Sequence, residues 1–211
     1  MSQPASTKPR HFSMIRDFHL ADFLTLANGV CGTAAVFFAM DHIRFASTPK
    51  IYAAGVFVVL ALVFDVMDGR VARWRQRASA MGRELDSLAD VISFGVAPAC
   101  LAFAVGMTGL LDALVLLYFV ACGISRLARY NITAEAMSEE TGKVQYFEGT
   151  PIPSSTLLVL LLVALARMGR VEVSLPFGIV SIASYDLHPL VLLYGVSGSL
   201  MISKTLRIPK P

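Results

Sequence analysis

The sequence predicts an all-α integral membrane protein, a six-transmembrane-helix bundle preceded by an N-terminal interfacial amphipathic helix. Three observations predict it. Charged residues make up 16% of the 211 and hydrophobic ones 55%, whereas soluble domains carry roughly 25% charged residues. The mean hydropathy is +0.64. Apolar stretches of roughly twenty residues, enough to cross the hydrocarbon of a bilayer, recur along the chain. This composition excludes a disordered protein, a soluble Rossmann-type enzyme and a disulfide-stapled secreted domain. A net charge of +3 is too mild to suggest a nucleic-acid partner.

Residues 1–20 read as a cytoplasmic tail with a short interfacial helix. The segment RHFSMIRDFHL mixes Phe12, Met14, Ile15, Phe18 and Leu20 with charges, as a helix lying among lipid headgroups does. Lys8, Arg10 and Arg16 stand among polar residues with no continuous apolar core, so no signal peptide is expected there. One membrane domain follows over 21–211, with spans at about 21–40, 51–73, 84–105, 110–130, 152–168 and 187–203. Residues 169–186, interrupted by Pro176 and Gly178, are too short and irregular for a seventh span. Cys31, Cys100 and Cys122 lie inside apolar runs without metal-like spacing, so they are expected as small buried helix residues.

The lysines and arginines set the orientation. Three lie in the N-terminal tail, five in 70–83, three in 126–150 and three in the C-terminal tail. The opposite side holds only Arg44, Lys50, Arg167 and Arg170. The positive-inside rule therefore places both termini and the two richer loops in the cytoplasm.

Span two ends unlike a plain hydrophobic helix. It runs FDVMDGRVARWRQRASAMGRELDSLAD into span three, so Asp65, Asp68, Asp86 and Asp90 enter the membrane on two helices. Spacings of three and four put each pair on one helical face, and the short connection lets the pairs converge. Four carboxylates at the edge of low dielectric repel one another strongly. Hard divalent cations such as Mg²⁺ or Mn²⁺, which select oxygen ligands, remove that conflict. Taken singly, each carboxylate also fits an ion pair with Arg70, Arg73 or Arg83, and Asp86 and Asp90 fit a helix N-terminus that they would complement electrostatically. Gly69, Ala72 and Gly82 leave room for a bulky phosphate-bearing group, and equally suit helix packing.

The pattern Asp65-x2-Asp68-Gly69-x2-Ala72-Arg73-x8-Gly82-x3-Asp86-x3-Asp90 resembles, at every fixed position, the signature of the CDP-alcohol phosphotransferase family. RDFHLADFLTLANGVCG (16–32), ELDSLADVISFGVAPA (84–99), SRLARYN (125–131) and YFEGTPIPSS (146–155) resemble its phosphatidylserine synthase branch. Thr150 stands where an aliphatic residue is more usual. The resemblance covers roughly residues 11–155 and implies six spans.

It also implies transfer of a phosphatidyl group from CDP-diacylglycerol to L-serine with release of CMP. Two divalent ions, Mg²⁺ or Mn²⁺, would be held by Asp65, Asp68 and Asp86 with Asp90 completing the site, and Asp90 would serve as general base. Gly69, Ala72, Arg73 and Gly82 match the nucleotide side, with Asn28 and Ser79 as further candidates there; Asn28 equally suits an interhelical hydrogen bond. Arg126 and Arg129, three apart and near Asn131, suit the serine carboxylate, although anchoring at the interface explains two arginines too. Glu148 in the following loop suits the serine ammonium, but reads more readily as a solvated loop residue. A homodimer is expected, with Gly29, Gly32 and Thr33 offering a close helix contact. Short tails without a retrieval signal point to a bacterial inner membrane.

Two alternatives stay open at this level. A sibling transferase would use glycerol 3-phosphate, an inositol compound or choline. A divalent-cation transporter would line its pathway with carboxylates, although transporters place such sites near the midplane rather than at one boundary.

Overall fold

The computed structural model describes residues 20–75, 80–140, 146–182, 184–203 and 207–209. The expected tail and interfacial helix lie outside the described residues, apart from Leu20. Among those described, four stretches are long and apolar enough to cross a membrane: Leu20–Phe45, Thr48–Val71, Met81–Ala104 and Leu110–Thr133. Two shorter apolar helices, Ile152–Arg167 and Pro189–Ile202, stand where the fifth and sixth spans are expected. Val30, Phe37, Leu114, Leu117 and Leu157 are all more than half exposed, an outward apolar surface that suits lipid rather than water.

Helix α1 (Leu20–Phe45) and helix α2 (Thr48–Arg75) are joined by two residues and therefore run antiparallel. Their contact is built on small side chains. Ala35 and Ala39 of α1 and Ala54 and Ala61 of α2 are fully buried, which lets the backbones approach, and Ile51 and Val58 fill the seam. The buried positions of α1 form one stripe from Asp22 through Thr25, Asn28, Gly32, Ala35 and Ala39 to His42.

Helix α3 (Ala80–Asp90) passes through a π-helical turn (Val91–Val96) into α4 (Ala97–Ala104). Pro98 has no N–H to give the carbonyl four residues back. That carbonyl belongs to Phe94, and the Ser155 hydroxyl donates to it at 2.6 Å, so the buried acceptor keeps a partner. The π turn also presents Ser93 to α1. Its hydroxyl donates to the Asn28 carbonyl at 2.9 Å, and a Cβ at Gly32 would stand 2.6 Å from the Ser93 Cα. Only glycine permits that approach. Gly29 packs on Ala89, and the Thr33 hydroxyl bonds the Gly29 carbonyl at 2.9 Å. The two glycines expected at a contact between copies are thus occupied inside one chain.

Helix α5 (Leu110–Glu140) continues ten residues beyond its expected end. The stretch SRLARYNITAEAMSEE contains neither Gly nor Pro and is rich in good helix formers, so nothing stops it at the membrane edge. Asp112 in its first turn accepts from the Gly109 N–H at 3.0 Å, the His188 N–H at 2.8 Å and the His188 ring at 2.6 Å. This buried cluster ties the far end of the bundle to the segment before the last helix.

Two small ribbons depart from the all-α expectation. Strand β1 (Tyr146–Glu148) precedes α6 (Thr156–Arg167) and pairs antiparallel with β4 (Arg207–Pro209), which follows α7 (Leu192–Ile202). The irregular segment before α7 forms a hairpin of β2 (Val180–Ile182) and β3 (Tyr185–Leu187). Cys31, Cys100 and Cys122 are free thiols, two buried and Cys100 half-buried, as expected.

Candidate functional site

Asp65 and Asp68 lie three residues apart well inside α2, and Asp86 faces them from α3. One carboxylate oxygen from each residue falls within 4.8 Å of the other two. Because α3 begins at Ala80, Asp86 and Asp90 stand beyond its first turn. The macrodipole acts mainly on that turn, so dipole complementation does not explain them. Asp86 Oδ1 is buried without a hydrogen-bond partner. Three converging carboxylates, one of which also carries a buried oxygen without a partner, are a donor set that fits a hard divalent cation.

Asp90 lies one turn beyond Asp86, is 6% exposed and stands outside the three-carboxylate group. Asn28 donates its amide to Asp90 Oδ1 at 3.1 Å. Asn28 is wholly buried, and its own Oδ1 has no partner. Thr25, also buried, donates its hydroxyl to Asp68 Oδ2 at 2.7 Å. Asp22 shares this buried face and lies within electrostatic reach of Asp68. Thr25 and Asp22 escaped the sequence reading. Their signal was present as a polar stripe, Asp22, Thr25 and Asn28 at successive spacings of three, in a first half of the helix (20–32) that is otherwise apolar.

Of the expected nucleotide side, Gly69 follows Asp68 directly, Ala72 and Arg73 continue α2 by another turn, and Gly82 lies near the start of α3. Ser79 lies outside the described residues.

The three expected acceptor residues share α5 but not one set of partners. Arg126 is 7% exposed, feels the charge of Asp90, and its buried Nε has no hydrogen-bond partner. Arg129 donates from Nη1 to the Ile202 carbonyl at 3.2 Å, whereas its buried Nη2 has no partner. Buried guanidinium N–H groups without acceptors fit an anionic ligand. Asn131 instead turns to α3, donating to Ser87 Oγ at 3.0 Å and to Glu84 at 3.4 Å. Glu148 lies on β1.

An apolar groove starts at Thr25, beside the acids, and runs between α1 and α3 along Gly29, Thr33 and Phe37, with Leu88 and Ile92 opposite. Its lining suits hydrocarbon.

Fold and site together define a helical membrane protein with a cluster of acids at one end of its bundle, next to a groove lined by apolar side chains. The profile of the CDP-alcohol phosphatidyltransferase family matches residues 18–191, and the chain belongs to that family. It is similar to the CDP-diacylglycerol–serine O-phosphatidyltransferase of Saccharomyces cerevisiae, 44% identical over 215 residues that cover 99% of this chain and 77% of that protein. The Bacillus subtilis protein of the same name is 31% identical over 185 residues, covering 86% of this chain and 85% of the relative. The Helicobacter pylori (strain 26695) protein of that name is 43% identical over 134 residues, 63% of this chain and 54% of the relative. Family membership sets aside the cation-transporter alternative.

Proposed function

We propose that this chain transfers the phosphatidyl group of CDP-diacylglycerol to the hydroxyl of L-serine, giving phosphatidylserine and CMP. The observation that carries the reading is the convergence of Asp65, Asp68 and Asp86 at the head of an apolar groove. The names of the relatives supply the two substrates.

Asp65, Asp68 and Asp86, with Asp90 completing the set, would hold two divalent ions, Mg²⁺ or Mn²⁺. Such a pair, when bound, neutralises the diphosphate of the donor and the charge that gathers on the departing CMP. Asp90 takes the proton of the serine hydroxyl while the hydroxyl oxygen forms a bond to the lipid-side phosphorus. The bond from that phosphorus to the bridging diphosphate oxygen breaks, and the bridging oxygen leaves with CMP. A carboxylate is a weak base toward an alcohol, so Asp90 depends on being held at hydrogen-bond distance from its substrate.

Gly69, Ala72 and Gly82 leave space for the cytidylyl group, and Arg73, Ser79 and Asn28 complete that side. Arg126 and Arg129 take the serine carboxylate, a role supported by their buried N–H groups without acceptors. Asn131 closes the acceptor pocket where α5 meets α3. The same two arginines also suit a phosphorylated acceptor such as glycerol 3-phosphate, which is why acceptor choice needs its own test.

The proposal also places 1–20 as a tail with an interfacial helix and 21–211 as one membrane domain. It counts the two shorter apolar helices as spans five and six, and puts the acids and both termini on the cytoplasmic side. A homodimer belongs to it, with a contact elsewhere than Gly29 and Gly32. Relatives of this similarity occur in a yeast and in bacteria, so the bacterial inner membrane rests on sequence features alone.

The test is CMP release by purified chain given CDP-diacylglycerol and Mn²⁺ or Mg²⁺, with serine, glycerol 3-phosphate, inositol and choline supplied in turn. Release that depends on serine is the expected result. Release with another alcohol alone would transfer the reading to a sibling activity.

A further inference from the structure

The acids of α2 and α3 must meet within a few ångströms, yet these two helices touch each other little. Both are packed along α1 instead. Thr25 and Asn28, three residues apart, lie on one face of α1, and each donates to a carboxylate on a different neighbour. Thr25 reaches Asp68 of α2 at 2.7 Å, and Asn28 reaches Asp90 of α3 at 3.1 Å. The backbone at the same point is locked as well, because Ser93 donates to the Asn28 carbonyl at 2.9 Å and Gly32 lets the two chains meet.

We infer that Thr25 and Asn28 are positioning residues: α1 acts as a brace that sets the rotamers of Asp68 and Asp90, and thereby the distance between the two acidic helices. A carboxylate has several acceptor directions, and a hydrogen bond to one oxygen directs the remaining ones. Thr25 ties Asp68 Oδ2 to α1, and with that oxygen held the carboxylate keeps one orientation from which it can serve the cluster. Asn28 occupies Asp90 Oδ1 and leaves Oδ2 for a proton. In a bundle whose acidic helices lack a shared seam, this fixes the site before any ligand arrives.

The inference rests on the proposed cation role of the acids but not on the identity of the acceptor. Its test is Mn²⁺ binding to the purified chain without lipid substrate, followed by electron paramagnetic resonance of the free ion. Thr25→Val keeps the shape and removes the hydroxyl, and is expected to weaken Mn²⁺ binding about 10- to 100-fold, the usual effect of losing an outer-sphere partner of a metal ligand. Thr25→Ser, which restores the hydroxyl, is expected to recover it. Unchanged affinity in Thr25→Val overturns the inference, and so does equal weakening in Thr25→Ser, which would make the missing methyl the cause.

Asn28→Ala separates positioning from nucleotide contact. A fall in kcat with the KM for CDP-diacylglycerol unchanged supports the brace, whereas a raised KM with kcat unchanged overturns it for Asn28. If the wild-type chain binds Mn²⁺ and releases no CMP with serine, the transferase reading fails while the brace is still judged by Thr25.

Discussion

Asp90→Asn is expected to bind CDP-diacylglycerol nearly as the wild type does, to keep the Mn²⁺ held by Asp65, Asp68 and Asp86, and to lose about 10²- to 10⁴-fold in serine-dependent CMP release. That range is what a positioned general base contributes. Asparagine matches aspartate in shape and keeps an oxygen that can accept the Asn28 amide at the 3.1 Å contact, so the brace between α1 and α3 survives the change. The three oxygens within 4.8 Å of one another come from Asp65, Asp68 and Asp86, so the main cation ligands are untouched. What is lost is the negative group able to receive the serine proton. Radiolabelled CMP release, with Mn²⁺ binding as the control, checks this. Release at the wild-type rate would remove Asp90 from the role of base.

Asp86→Asn is expected to have two effects of opposite sign. Asp86 Oδ1 is buried with no partner of its own, which makes this carboxylate available to a cation rather than committed to the fold. Neutralising it is expected to weaken Mn²⁺ binding by at least about 100-fold, the upper end of what losing a mere outer-sphere partner costs, and turnover falls with it. The metal-free chain, however, loses one of three mutually repelling charges in a low-dielectric setting. Its melting temperature is therefore expected to rise above that of the metal-free wild type, and added Mn²⁺ should no longer raise it, since only an ion that binds the folded state stabilises it. Thermal melts with and without Mn²⁺ read both effects. A variant that melts lower without metal and still responds to Mn²⁺ would mean that Asp86 is a structural residue.

The residues that were legible in the sequence are those whose chemistry is expensive where they stand. A carboxylate inside an apolar run is conspicuous, so Asp65, Asp68, Asp86 and Asp90 and their helical spacing could be read directly. The apolar runs were legible for the same reason, as they must match the bilayer. Helix ends were not. The membrane edge marks where residues turn polar, not where hydrogen bonding stops, and α5 runs on to Glu140 because its polar extension favours helix. The β1–β4 ribbon joins segments about sixty residues apart through three residues each, too short for alternation to register. Pro98 was visible, but the serine that serves the freed Phe94 carbonyl comes from a different helix. Thr25 shows the same limit. Its place in the polar stripe with Asp22 and Asn28 was visible, but only the fold sets Asp68 against it.

The most direct measurement of the central claim uses L-serine labelled with ¹⁸O in its hydroxyl, incubated with the purified chain, CDP-diacylglycerol and Mn²⁺, with mass spectrometry of the lipid product. Direct attack by the serine oxygen on the lipid-side phosphorus requires every molecule of phosphatidylserine formed to carry the label, in equal amount to the CMP released. Phosphatidylserine without the label, or CMP released with no serine-containing lipid, would contradict it.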